Sequence, residues 1–118
     1  LNIYATTLHA INSVVIKLGK LTIAETVYRG IGGMALPPEF WKVNHFGVRG
    51  GVEPAFMSTT LNREVAMTYA SGSGVGIVLA IRQGMVNRGA DISWLSQYPH
   101  EKECVAALAH AKALYSLP

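Results

Sequence analysis

The stretch that most constrains the fold is Gly76-Ile77-Val78-Leu79-Ala80-Ile81, a near-continuous apolar run between a Ser-Gly loop and the Gln83-Gly84 turn. So short an apolar run, bounded by turn formers, reads as a buried strand. Two more strands are predicted. Thr26-Val27-Tyr28-Arg29-Gly30-Ile31 carries the β-branched and aromatic residues that suit a pleated surface. Ala55-Phe56-Met57-Ser58-Thr59-Thr60 ends in three hydroxyls. Between the strands lie helical patterns. Tyr4, Leu8, Ile11, Val15 and Leu18 recur at helical spacing, which predicts an amphipathic, core-facing helix over 2–18. Leu36–Val43 reads as a short helix with proline in its first turn, where the missing N–H is tolerated. Asn62–Ala70 reads as a helix capped by Thr60 or Asn62. From Cys104 to Leu117 the chain is rich in Ala and Leu and scores as helix. The order of elements predicts an α+β fold.

At 118 residues the chain holds one domain, and its hydrophobic content of 50% argues against disorder. The formal charge of +3 comes from 10 Lys/Arg against 7 Asp/Glu. Arg29, Arg49, Arg63, Arg82 and Arg88 stand far apart, so no basic run marks a nucleic-acid surface. One or two of them could still grip a small anion. Cys104 is the sole cysteine, which leaves no intrachain disulfide and no thiolate metal cage. That composition fits a reducing compartment and leaves localisation otherwise open. No segment approaches the roughly 20 apolar residues of a membrane span, and the N-terminal residues lack a signal-peptide pattern.

The chemistry-bearing stretch is Tyr98-Pro99-His100-Glu101-Lys102-Glu103. On a strand, residues two apart point to the same face, so Glu101 and Glu103 would look into one space. Paired carboxylates of this kind serve chemistry at a sugar anomeric carbon. Taken alone, the stretch reads as a solvated acidic turn. Arg29, inside an apolar strand and followed by Gly30, Gly32 and Gly33, is either an edge-strand arginine or an anion ligand beside a backbone open to close approach. The hydroxyls of Ser58, Thr59 and Thr60 could all serve to cap the following helix. His100, Glu101, Glu103 and Cys104 match no usual metal-ligand spacing, so no metal is expected.

Three signals stand in a fixed order: Tyr28-Arg29-Gly30, Ser58-Thr59-Thr60, and Tyr98-x-x-Glu101-x-Glu103. This order resembles the Arg-Ser-Glu (R-S-E) class of mono-ADP-ribosyltransferases, with the last signal its Glu-x-Glu motif. Gly51–Thr60 and Trp94–Pro99 look like the arginine-modifying members. The resemblance covers residues 26–104. It implies two small, mainly antiparallel sheets packed across an NAD cleft with flanking helices. With the periodic helix before it, the single domain divides into a helical part at 1–20 and a catalytic core at 26–104.

By the same resemblance, NAD is the co-substrate and the partner is a protein bearing an acceptor arginine. Arg29 would bind the NAD phosphates, and Gly30 would offer its backbone to nicotinamide. Ser58 would hold Glu103, with Thr60 supporting the loop. Glu103 would stabilise the positive charge that develops on the ribose. Glu101 would position and deprotonate the arginine, and Tyr98 would stack on the target side chain. Two other outcomes share the motifs: an NAD glycohydrolase, or an NAD-binding domain without turnover. The chain departs from the family in two ways. A single helix precedes the Arg strand, and the Ala-rich segment stands where the family has a strand. If that segment is helical, the sheet lacks a strand and the two glutamates need not share a face.

Overall fold

The computed structural model describes residues 3–47, 49–72 and 74–107. They form an α+β fold with one five-stranded antiparallel sheet, in the order β3-β1-β2-β5-β4. The strands are β1 (Thr26–Gly32), β2 (Met57–Thr60), β3 (Gly76–Arg82), β4 (Ala90–Asp91) and β5 (Glu103–Ala106). The helices are α1 (Ala5–Gly19), α2 (Pro38–Trp41) and α3 (Arg63–Ser71), with a 3₁₀ turn at Pro99–Glu101.

The sheet is one ladder in connectivity, but its two halves meet narrowly. β1 and β3 pair along their full length, from Thr26↔Arg82 to Gly32↔Gly76. β2 and β5 pair from Met57↔Ala106 to Thr60↔Glu103, and β4 adds Ala90↔Val105 and Asp91↔Cys104. Between the halves, β1 and β2 share the single pair Tyr28↔Thr60. Two ribbons are thus joined at one corner.

Two apolar clusters fill the interior. Val27, Met57, Ile81, Cys104 and Ala106 form the first, drawn from both ribbons. Val15, Ala90 and Ala107 form the second, where α1 lies against β4 with Leu18, Ile92 and Val105 around it. Thr22, just past α1, ties this corner together. Its hydroxyl donates to the Leu18 carbonyl at 3.1 Å and accepts from the Asp91 N–H at 2.9 Å.

Helix α3 packs on the first ribbon through missing side chains. A Cβ on Gly30 would lie 1.9 Å from the Ala66 carbonyl oxygen, and one on Gly76 would lie 2.0 Å from that of Ala70. Ala66 and Ala70 are themselves buried, one helical turn apart. Small residues on both surfaces therefore bring helix backbone onto strand backbone.

The structure corrects three sequence expectations. Gly76–Ile81 is a strand but not a buried one: β3 is an edge of the described sheet, and Ile81 is its one buried residue. Glu103–Ala106 is a strand, not the start of a helix. Pairing on both sides, with β2 and β4, overrides the helix propensity of alanine. The rest of the Ala-rich segment, 108–118, lies outside the described residues. Strand β4 carried no periodic signal, since two residues cannot show one. Of the five periodic residues of α1, Val15 is buried, Leu8 and Leu18 are half-buried, and Tyr4 and Ile11 are exposed. The helix therefore braces the core with its C-terminal half.

Candidate functional site

The short strand β2 organises the site. Thr59 and Met57 point into the protein, while Ser58 is exposed. Across the β2–β5 ladder, Thr60 is opposite Glu103 and Ser58 opposite Val105, so Ser58 and Glu103 are diagonal neighbours on one face. The Ser58 hydroxyl donates to Glu103 Oε1 at 2.6 Å. Ser96 approaches Oε2 of the same carboxylate at 3.5 Å.

The other two hydroxyls reach the same segment. Thr59 donates to the Cys104 carbonyl at 2.6 Å. Thr60 donates to the Glu101 carbonyl and accepts from the Asn62 N–H at 2.9 Å. Helix capping falls to Asn62 alone, whose side-chain oxygen accepts from the Glu64 N–H at 2.9 Å. None of the three hydroxyls caps α3 by the usual side-chain bond. They hold the acidic turn from residue 101 to residue 104.

The two glutamates are brought together by a different route from the one the sequence suggests. They do not share a strand. Glu101 closes the 3₁₀ turn, with its N–H donating to the Tyr98 carbonyl at 3.0 Å. Lys102 then adopts the left-handed region at φ 47°, an uncommon conformation for a side chain of this kind. Only Glu103 enters β5. The turn nevertheless delivers both carboxylates to one cleft.

That cleft has a volume of about 320 Å³, at the lower end of small-molecule sites. Arg29 and Gly30 line it from β1, Ser58 and Thr60 from β2, and Glu101 and Glu103 from the turn and β5. Arg29 donates to the Ser58 carbonyl at 3.3 Å. It also lies 4.0 Å from the Glu53 carboxylate, a long contact between partly exposed groups. Such a surface pair contributes at most about 1 kcal/mol and leaves the guanidinium free to exchange partners. The absence of a side chain at Gly30 is already used by Ala66 of α3, so the residue type is fixed by packing as well as by any ligand.

Tyr98 is apart from this group. It does not line the cleft and is 53% exposed, edge-on to His100 at 6.1 Å between ring centroids. Tyr69 does line the cleft, and sequence reasoning missed it. Its phenol donates to Glu101 Oε1 at 3.0 Å. That hydrogen bond, together with the negative charge of Glu101, raises the Tyr69 phenol above its ordinary range. Its position on α3, three residues after the buried Ala66, was readable. Its partner 32 residues away was not.

Cys104 is buried in the first cluster, as a packing residue would be. Among the described residues no His, Cys, Asp and Glu side chains gather in a group of three that could hold a metal, and no helix is long and apolar enough to cross a membrane. Compared with protein-family models, curated proteins and solved structures, the chain matches none.

Proposed function

We propose that this chain transfers ADP-ribose from NAD to an arginine side chain of a protein and releases nicotinamide. One observation carries the reading: the 2.6 Å hydrogen bond from Ser58 to Glu103, in a cleft that also gathers Arg29 and Glu101. Four residues from three separate parts of the chain converge there, in the pairing that the Arg-Ser-Glu order implies.

On this reading the two ribbons correspond to the two small sheets that flank an NAD cleft. The bond between nicotinamide nitrogen and ribose C1 breaks, and its electron pair leaves with nicotinamide. Positive charge then develops on the ribose. Glu103, held by Ser58, stabilises that charge most when it is fully formed, which lowers the barrier rather than only tightening binding. A guanidinium is not a nucleophile while it holds all its protons. Glu101 takes a proton as the guanidine nitrogen forms the new bond to C1. Arg29 grips the pyrophosphate through its planar fork.

NAD with and without agmatine as acceptor tests the reading. Wild type should release nicotinamide and modify agmatine. Glu103→Ala should lower both by about 100-fold or more, the scale of losing an electrostatic stabiliser. Glu101→Gln should lower the ratio of transfer to hydrolysis. A folded wild type that releases no nicotinamide overturns the proposal. Release without any transfer, unaffected by Glu101→Gln, leaves the glycohydrolase.

A further inference from the structure

Glu101 and Glu103 differ in how their carboxylates are held. Glu103 has a hydroxyl facing each oxygen, Ser58 at Oε1 and Ser96 at Oε2. Glu101 has one, the Tyr69 phenol at Oε1, and no described side chain donates to its Oε2. Its backbone is fixed on both sides: the carbonyl by Thr60 and the N–H by Tyr98. The side chain is therefore oriented by Tyr69.

We propose that Tyr69 is a positioning residue for the acceptor: it holds one oxygen of Glu101 so that the other faces the incoming guanidinium. The proposal rests on the transferase reading given above. Two features of the fold support it. Tyr69 stands on α3, and α3 is pressed against β1 at Gly30 so closely that no methyl group fits between them. The phenol oxygen is thus carried by a rigid element, the arrangement that best fixes a functional side chain. Glu101 also raises the phenol above its ordinary range, which keeps the phenol the donor in this pair. A hydrogen bond to a carboxylate from a fixed donor orients the group without taking its second oxygen.

Tyr69→Phe removes the hydroxyl and keeps the ring. It should lower the ratio of agmatine transfer to NAD hydrolysis by about tenfold, through a higher KM for agmatine and a lower kcat of transfer. An equal fall in both reactions, or no change in either, overturns the positioning role. A second measurement needs no activity. In wild type, tyrosine ¹³Cζ NMR should show Tyr69 titrating above the ordinary phenol range, and Glu101→Gln should bring it back down. A Tyr69 titration identical in the two proteins overturns the contact itself. If the contact holds but wild type releases no nicotinamide, the transferase reading falls and the positioning role falls with it.

Discussion

The two ribbons of the sheet are held by opposite means. In β1–β3, helix α3 rests where side chains are missing, with Gly30 and Gly76 against the Ala66 and Ala70 carbonyls. In β2–β5, side chains are added across the ladder, with Ser58, Thr59 and Thr60 all donating to the segment from Glu101 to Cys104. Close backbone packing fixes an element without using its polar side chains. Hydroxyl bonding fixes an element and keeps its carboxylates available. The cleft lies where the two modes meet, so Arg29 arrives from the packed ribbon and Glu103 from the hydrogen-bonded one.

Substitutions at each side test whether the two modes are separable. The largest effect is expected at Gly30→Ala. The added methyl has no room against the Ala66 carbonyl, and α3 must move. Overpacking of this kind costs about 3 kcal/mol, readable as a fall in Tm of ten degrees or more. Thr60→Val is the counterpart on the other ribbon. It removes a hydroxyl that both donates to Glu101 and accepts from Asn62. About 1–2 kcal/mol should be lost in urea unfolding, with amide protection weakened at residues 101–104 and unchanged in α3 beyond its first turn. If α3 also loosened, the ribbons would not be independent.

A smaller effect is expected at the left-handed Lys102. Lys102→Val should cost about 1 kcal/mol, because a β-branched residue is disfavoured at positive φ. Lys102→Gly should stay within about 0.5 kcal/mol of wild type, since relieved strain offsets the gain in unfolded-chain entropy. A cheap valine at this position would mean that the turn does not depend on its backbone conformation.

The smallest effect concerns pH. Folding raises the Tyr69 phenol above its ordinary value of 10.0. A raised phenol stabilises the fold fully below pH 10. That contribution is lost as pH rises through the folded value, where the unfolded chain has already released its proton. Stability should therefore fall more steeply above pH 10 in wild type than in Tyr69→Phe, as Tm measured against pH will show.

Much of this was legible in the chain. The strand at Thr26, a cap at Thr60 or Asn62 and the helix that follows are local signals, and local signals survive folding; the structure selects Asn62. Arg29, Ser58 and Glu103, far apart in the chain, come to line one cleft, because β2 pairs with β5 in the register that sets Ser58 diagonal to Glu103. What was not legible depends on distant partners. Alanine and cysteine at 104–107 score poorly as strand, yet they are small enough to fit under Met57 and against Ala90. The two glutamates were expected to meet through strand periodicity. They meet instead because Lys102 turns the chain between them, and no residue type announced that turn. Tyr69 carried no signal of its own beyond lying on a short helix, and only the tertiary fold gives it Glu101.

The single Tyr28↔Thr60 pair has a mechanical meaning. A ladder resists shear in proportion to its rungs, and this joint has one. Relative roll of the ribbons is checked by α3 on one side and by the shared cluster of Val27, Met57 and Cys104 on the other. Arg29 and Glu103 sit on opposite sides of that joint, so a molecule touching both acts as a splint. Its binding energy would go partly into stiffening the sheet, and the sign of occupancy would be slower amide exchange at residues 28 and 60 as well as at the cleft itself.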